Sequence, residues 1–533
     1  MPNRLDLALL LARADDGAAV VSRPFAQEDA RRMDNPNDAT KSQKMSNTAA
    51  DPNNLLEQRY AVLAPEGQRG ERLLDLVRPL LESRCAEQGG KPIVIERLPG
   101  NTDLAQARQF RDRQLKKNPP RYWLALGDLH EMSFEATSVL ASMAFVGRLG
   151  FSRDEDYEAY VSKVLRWENQ PSPSTSGQTV LCSVRDGSEA TGLAYRALMR
   201  PLEDACARER EQEQFRTARL EHIEATSLSK IEAVFRSNEP TVLFSSSHGL
   251  GPPRGGYDNF EQQRRLSGAM CIGKDRITAD EVKNGAFLNG GIWFYLACYG
   301  AGTPARSAFT TWLKALAEQG AVGRDAAEEA LSGLPMEGTA PFVAAMPKAA
   351  LANENGPLAM IGHIDMAWSA SFADAQSGEN RQTMRFFGAL RALVEGRRVG
   401  IAHGELSRFF LDTSVALSDM YEEEKQGTAT LDDHERELRK AQLWMRRHDL
   451  GHYVLLGDPA VRLPLASNRV VRVNPGAIAD IGVMEKAALA VLGRGETPEF
   501  VAKQMGLRAE DVKSWAKEYA AAGQERLHSV RQK

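Results

Sequence analysis

Short apolar runs alternate with amphipathic helical stretches through the first half of the chain. Apolar runs at residues 60–64, 92–98 and 122–126 predict three strands, and leucines recur at helical spacing between residues 71 and 85. An alternation of strand and helix is typical of a parallel sheet with helices packed on its faces. This part of the chain is therefore predicted to form an α/β unit.

A polar break at residues 171–177 separates this unit from a second one with the same alternation. Its strands are predicted at residues 179–184, 241–244, 291–298 and 358–363. We therefore expect an α/β protein with two adjacent subdomains, at residues 57–170 and 171–470, whose mainly parallel sheets are flanked by helices. Residues 421–447 are highly charged and predict a solvated helical excursion before the last strand.

The two ends of the chain have a different pattern. Residues 1–14 contain a short apolar run surrounded by charges, which predicts a frayed helix rather than a secretory signal. Most of residues 1–56 is polar and is expected to be disordered. Residues 476–533 predict a small all-α module, because a Thr-Pro helix start at Thr497 precedes two helical stretches.

Composition narrows the class of protein. The chain has 533 residues, a net charge of −4 and five cysteines that are odd in number and widely scattered. The net charge argues against a generally basic nucleic-acid binder. The number and spacing of the cysteines argue against a disulfide framework and a CxxC metal site. Mean hydropathy is −0.40, and no apolar run reaches the length of a membrane helix. We expect a reduced, cytoplasmic protein with no membrane association, no cofactor and no metal.

A histidine and a cysteine each follow a predicted strand of the second unit. His248 precedes Gly249, and Cys298 is followed closely by Gly300 and Gly302. The carboxyl ends of parallel strands share one edge of a sheet, so the two side chains are expected within reach of each other. A thiolate nucleophile needs such a neighbouring base or cation, and flanking glycines let backbone N–H groups approach an oxyanion. The alternative is that Cys298 is a small buried hydrophobe.

Several segments, in order, resemble the gingipain family of cysteine proteases, which belongs to the caspase-like group. The resemblance spans about residues 60–465. It rests on residues 122–128 (YWLALGD), 146–149 (VGRL), 247–249 (SHG), 297–300 (ACYG), 356–362 (GPLAMIG) and 456–463 (LGDPAVRL).

The resemblance implies a catalytic role for each of several residues. Cys298 would attack the scissile carbonyl, and His248 would protonate the leaving amine. The backbone N–H groups of Gly249 and Cys298 would bind the oxyanion. Asp186 is the first candidate, and Glu189 the second, for the acid that orients the histidine. Arg185 stands beside them, so pairing of Asp186 with Arg185 is the alternative.

The resemblance also suggests how the residue before the scissile bond is bound. Trp368 would form a wall of its pocket, and Asp365 would pair with an arginine or lysine of the substrate. The structural alternatives are a core aromatic for Trp368 and a turn or helix cap for Asp365.

The C-terminal module resembles the helix-turn-helix of transposase-like DNA-binding domains. Acidic residues in its last predicted helix would repel phosphates, so we favour binding of a partner protein over binding of DNA. Two hypotheses follow for the whole chain. The first is an intracellular cysteine endopeptidase that cuts protein or peptide substrates after a basic residue and carries a recruitment or regulatory module. The second is a catalytically silent caspase-like scaffold, or a DNA-associated regulator, that acts through its tail.

Overall fold

The computed structural model describes residues 7–26, 51–117, 119–170, 174–254, 256–318, 324–373, 381–428, 430–466, 491–492, 497–505, 509, 512–513 and 515–517. The chain divides into two compact units, residues Met1–Arg469 and Val470–Lys533.

The first unit is built on one ten-stranded sheet. Its strands are β1 (Tyr60–Pro65), β2 (Val94–Leu98), β3 (Tyr122–Leu126), β4 (Phe145–Leu149), β5 (Gln178–Val184), β6 (Arg219–Ala225), β7 (Thr241–Ser246), β8 (Ile292–Leu296), β9 (Ala359–His363) and β10 (Tyr453–Leu456). Their order across the sheet is β2-β1-β3-β4-β10-β9-β8-β7-β5-β6.

Neighbouring strands are parallel at every position except between β9 and β10. Two five-stranded parallel blocks therefore meet at one antiparallel seam, and the strands of the two blocks point in opposite directions. The predicted α/β class with a mainly parallel sheet is confirmed. The central strands are continuous apolar runs, as in IWFYL of β8, because helices cover both faces of such a sheet.

The first unit also contains helices. They span Leu55–Gln58, Gln68–Leu76, Arg78–Glu87, Leu104–Leu115, Phe134–Ala141, Asp154–Glu168, Glu189–Ala194, Arg200–Glu211, Glu232–Phe235, Phe260–Leu266, Ala279–Val282, Thr310–Glu318, Arg324–Ser332, Ala345–Ala352, Arg381–Val394, Val399–Gln426 and Asp433–Gly451. A π-helical turn covers Tyr195–Met199, and 3₁₀ turns cover Leu228–Lys230 and Ser369–Ser371.

Two elements differ from the sequence-based expectation. The edge strand β6 was not predicted, because its sequence RLEHIEA is half polar and only partly buried. The charged stretch at 421–447 belongs to two long helices, Val399–Gln426 and Asp433–Gly451, whose inner faces are buried. Those inner faces make the helices part of the fold rather than a solvated excursion.

The N-terminal segment, residues 7–25, contains no helix and has two arms joined by a turn at Arg13–Gly17, so the prediction of a frayed helix was wrong. Its strand Leu11–Ala12 joins a small sheet with His248–Leu250, Met270–Ile272 and Asp275–Ile277. The sequence LALLLA has good helix formers, but a helix this short is marginal in water. Burial of its leucines and pairing with His248–Leu250 outweigh that local preference. Residues 27–50, also predicted to be disordered, lie outside the described residues.

The second unit is described only in part. Its helix Pro498–Met505 begins at the predicted proline, and Val501, Ala502 and Val512 form a small apolar cluster. Most of the helix-turn-helix-like stretch lies outside the described residues, so that resemblance stays a prediction. In the part of the chain that the structure describes, no helix combines the length and the apolar composition needed to cross a bilayer.

Candidate active site

His248 and Cys298 follow two adjacent strands of the sheet. Strands β7 and β8 run in parallel register, with Ser246 opposite Leu296, and the Ser247 N–H donates to the Leu296 carbonyl at 3.2 Å. His248 comes two residues after the end of β7, and Cys298 two residues after the end of β8. Both residues therefore lie at the carboxyl edge of the same parallel block, where such sheets place their sites.

Gly249 brings the histidine loop against the cysteine loop. A Cβ on Gly249 would lie 1.9 Å from the Cys298 carbonyl oxygen, a separation that no side chain tolerates. The absence of a side chain is thus required for the two backbones to approach. The Gly249 and Cys298 N–H groups then donate to one and the same acceptor, the Leu10 carbonyl oxygen, at 2.8 and 3.1 Å.

Two N–H donors that converge on one carbonyl oxygen beside a thiol have the arrangement of an oxyanion hole. Gly300 and Gly302 do not contribute to it, because their N–H groups donate to the carbonyls of Ala297 and Tyr299 within the cysteine loop. Tyr299, next to Cys298, has a φ of 56°, the left-handed conformation that residues other than glycine rarely adopt. Strain of this kind is concentrated at functional loops.

Polar side chains surround one ring nitrogen of His248. Its Nε2 atom lies 2.9 Å from the Ser188 hydroxyl and 3.4 Å from Asp186 Oδ2. Its Nδ1 atom is buried and has no hydrogen-bond partner among the described residues. Burial lowers the pKa of His248, although the negative charge of Asp186 acts in the opposite direction. Nδ1 is therefore the ring nitrogen available to a reacting group.

Asp186 is fixed by its own hydrogen bonds as well as by the histidine. Its Oδ1 atom accepts from the Ser188 N–H at 3.0 Å and from the Thr191 hydroxyl at 2.7 Å. Burial acts to raise the pKa of Asp186, but the charge of His248 and these hydrogen bonds outweigh it, and the pKa is lowered. The carboxylate is thus kept ionised beside the imidazole.

Arg185 and Glu189, which are close to Asp186 in sequence, have other partners. Arg185 pairs with Glu224 at 3.2 Å and stacks on the Tyr195 ring, so it is not the partner of Asp186. Glu189 pairs with Arg196 at 2.6 Å, and its side chain is about half exposed. Of the two acids considered, the structure brings Asp186 to the histidine and leaves Glu189 at the surface.

Cys298 is fully buried in this structure. Its Sγ atom accepts from the Ala367 N–H at 3.2 Å and lies 3.5 Å from the Ala367 carbonyl oxygen. Burial raises the pKa of the Cys298 thiol well above its ordinary value. The resting thiol is therefore protonated, and its activation requires a proton acceptor.

Asp365 and Trp368 lie in the loop that follows β9. The carboxylate of Asp365 accepts from the backbone N–H groups of Met366 and Ala308, at 2.7 and 2.8 Å. Those bonds weigh against the predicted pairing with a substrate cation, which stays a prediction. Trp368 is fully buried and packs against the rings of Phe309 and Trp312, at centroid distances of 5.6 and 5.2 Å.

Two residues that support the site were not found from the sequence. Ser188 caps the helix Glu189–Ala194, and the only sequence signal for it is the helix-start pattern Ser-Glu-Ala-Thr. Asp449 accepts from the N–H groups of Trp368 and Ser371 at 2.8 and 2.9 Å, and so holds the loop after β9. Asp449 lies on a distant helix, and nothing in its local sequence distinguishes it.

The N-terminal segment runs directly through this site. The Leu10 N–H donates to the Ala367 carbonyl at 3.3 Å, and Leu9 forms an antiparallel bridge with Trp368. Leu11 and Ala12 continue as a parallel strand beside Gly249 and Leu250. The segment thus covers Cys298 and lies between the histidine loop and the loop after β9.

Among the described residues, no group of three or more His, Cys, Asp or Glu side chains could hold a metal ion.

Comparison with known proteins gives matches to solved structures alone. No family model matches the chain, and no curated protein matches it. Three structures cover 76% of the chain at 13% sequence identity. They are a structure described only as a protease (TM-score 0.44, 78% of that chain), a complex of the pro- and mature domains of RgpB from Porphyromonas gingivalis (0.43, 79%) and the Arg-specific cysteine proteinase gingipain R (0.42, 78%). The chain is similar to these proteases.

Proposed function

We propose that this protein is a cysteine endopeptidase that hydrolyses peptide bonds with Cys298 as nucleophile and His248 as general acid and base. The observation that carries the proposal is the convergence of the Gly249 and Cys298 N–H groups on one peptide carbonyl oxygen, beside the Cys298 thiol. A buried structural cysteine needs no such pair of donors. The substrates are protein or peptide chains, as the resemblance to cysteine proteases implies.

The chemistry follows from the groups on this edge of the sheet. His248 takes the thiol proton, and the thiolate attacks the carbonyl carbon of the scissile bond. The negative charge that develops on the carbonyl oxygen is stabilised by the two N–H donors. As the C–N bond breaks, the imidazolium gives its proton to the leaving amine, and a thioester remains on Cys298. Water then hydrolyses the thioester and restores the thiol.

Asp186 acts as a positioning residue in this proposal. Its carboxylate and the Ser188 hydroxyl both lie at Nε2 of His248, which leaves Nδ1 for the reacting groups. A negative charge on that side also favours the imidazolium that the leaving amine requires. This division of roles follows the general logic of a nucleophile, a base and an orienting acid.

The test uses the purified full-length protein, an extended peptide library and mass spectrometry of the products. Wild type is expected to release fragments that Cys298→Ala does not release, whereas Cys85→Ala, which removes a partly exposed cysteine outside the site, should cut like wild type. Release of the same fragments by wild type and by Cys298→Ala would contradict the proposal.

The finer features of this function rest on sequence alone. They are the intracellular location, the cleavage after basic residues and the use of the C-terminal module to recruit a protein partner. The alternative of a silent scaffold or DNA-associated regulator makes a different prediction: no peptide is cut by wild type or by a variant in which the N-terminal segment is displaced from the site.

A further inference from the structure

The N-terminal segment lies in the site with the backbone contacts of a bound substrate. Both the N–H group and the carbonyl oxygen of Leu10 form hydrogen bonds within the site. Its N–H donates to the Ala367 carbonyl at 3.3 Å, and its carbonyl oxygen accepts from Gly249 and Cys298. The Cys298 Sγ atom lies 3.5 Å from that same Ala367 oxygen. The thiol and the Leu10 N–H therefore contact the same carbonyl oxygen.

Residues before Leu10 continue the pairing of an extended peptide. The Ala8 N–H donates to the Ser369 hydroxyl at 3.1 Å, and the Ser369 N–H donates back to the Ala8 carbonyl at 3.2 Å. Residues after Leu10 pair with the strand that carries His248, with Leu11 in register with Gly249. The segment thus crosses the whole site, and its Leu10–Leu11 bond lies where a scissile bond would be.

A short hairpin holds the segment in place. The chain turns at Arg13–Gly17 and returns, so that Val20 donates to the Leu11 carbonyl at 2.8 Å and Phe25 bonds reciprocally with Leu7 at 2.8 and 2.9 Å. The returning Phe25 ring packs against Trp368 at a centroid distance of 5.5 Å. The Leu10 side chain itself is 1% exposed and belongs to the main apolar cluster.

We propose that the Leu10–Leu11 peptide bond is an intramolecular substrate of this site, and that the site accepts peptides with a leucine-type aliphatic side chain before the cut. The inference rests on the proposed endopeptidase function and, for its substrate class, replaces the basic residue expected from the sequence with an aliphatic one. An arginine in the place of Leu10 would bury a cation where the present side chain is 1% exposed and belongs to the main apolar cluster, which is unfavourable without a paired charge.

The cleavage step balances with water as the only co-reactant. The Cys298 sulfur bonds to the Leu10 carbonyl carbon while its proton passes to His248. The Leu10–Leu11 C–N bond then breaks, and the proton moves from His248 to the new amine of Leu11. Water cleaves the thioester, which leaves a carboxylate on Leu10 and a free thiol on Cys298. Departure of the fragment that ends at Leu10 frees Ala367 and Ser369 to pair with other substrates.

The experiment is intact-mass analysis and N-terminal sequencing of the purified full chain after prolonged incubation. Wild type and Leu10→Met, which keeps an apolar side chain of similar size, should lose the fragment that ends at position 10 and begin at Leu11. Cys298→Ala should stay intact. Cleavage of wild type at any other bond, or equal cleavage in Cys298→Ala, would overturn the inference.

A second variant separates failure of this inference from failure of the proposed function. Leu10→Asp puts a carboxylate in an apolar environment, so the segment should leave the site and open it to peptides added in trans. Hydrolysis by this variant of a leucine peptide at least about tenfold faster than of the matched arginine peptide supports the substrate class.

The outcomes are distinct. If wild type stays intact while Leu10→Asp hydrolyses peptides, the self-cleavage is overturned and the endopeptidase function stands. If Leu10→Asp prefers the arginine peptide, the substrate class is overturned. If neither protein cuts any peptide, both proposals are overturned.

Discussion

Two acidic residues that are close in sequence differ in their position relative to His248. Asp186 and Glu189 are three residues apart, and both were candidates for the residue that orients His248. Asp186 lies 3.4 Å from the histidine Nε2 atom, whereas Glu189 pairs with Arg196 at the surface. Substitution of Asp186 can therefore be compared with a matched substitution of Glu189 as its control.

Asp186→Asn should lower kcat/KM by about tenfold or more, because the imidazole loses the group that orients it and favours its charged form. The negative charge of Asp186 raises the pKa of His248, so its removal lowers that pKa. Protonation of the resting imidazole, which removes the acceptor of the thiol proton, then occurs at lower pH, so the acidic limb of the kcat/KM profile should move to lower pH.

The control for that experiment is Glu189→Gln, which should leave both kcat/KM and the pH profile unchanged. A pH profile of Asp186→Asn that overlays the profile of wild type would contradict a role for Asp186 at the histidine. A purely structural role would lower activity without moving the limb.

At the scale of the elements, the approach of two strand-end loops brings together the N–H donors of Gly249 and Cys298. β7 and β8 lie in register, and the loops that follow them touch at Gly249 and Cys298. The strands could be predicted from their apolar runs, and the paired histidine and cysteine from their positions at the strand ends. The contact between the loops depends on strand order, which no local pattern of residues encodes.

The same limit explains what sequence reasoning missed. The N-terminal segment has the composition of a helix. Its observed conformation depends on burial of its leucines and on the pairing of Leu11 with Gly249, which lies 238 residues further along the chain. Asp449 holds the loop after β9 from a separate helix. Each of these placements follows from tertiary contacts that override a local preference.

Gly249→Ala tests the loop contact. The added Cβ would lie 1.9 Å from the Cys298 carbonyl, so the two loops must separate and the pair of N–H donors is lost. Loss of one oxyanion donor costs about 10²–10³ in kcat, and we expect a decrease of at least that size for peptide hydrolysis.

Gly192→Ala is the matched control for that substitution. Gly192 lies in the helix Glu189–Ala194, and a Cβ there would meet only the end of the flexible Arg196 side chain, at 3.2 Å. Its kcat should equal that of wild type. Wild-type activity in Gly249→Ala would show that the close approach of the loops is not required.

For the whole first unit, the antiparallel seam between β9 and β10 joins two parallel blocks, and a buried charge network lies next to it. Arg84, on the helix Arg78–Glu87 of the first block, bonds Asp458, which follows β10, at 2.7 Å. It also bonds Glu168 at 2.6 Å. Arg84 and Asp458 are both fully buried, so the guanidinium holds together segments far apart in the chain.

Arg84→Met should lower the free energy of unfolding by about 3–5 kcal/mol, because it leaves buried carboxylates without their cation. The urea midpoint measures this change. Arg78→Met, on the same helix but in an exposed pair with Asp75, is the control and should leave the midpoint nearly unchanged. Equal midpoints for the two variants would show that the buried network does not stabilise the seam.

The most direct test of the central claim is the location of a covalent adduct formed with a peptide chloromethyl ketone. With Leu10→Asp, in which the site should be open, the account predicts one adduct per chain, on Cys298, formed faster than any adduct on Cys85 and much more slowly when His248 is also replaced by alanine. Mass spectrometry of the digested protein gives the site of the adduct. An adduct mainly on Cys85, or labelling of Cys298 that does not depend on His248, would contradict the assignment of Cys298 as the nucleophile.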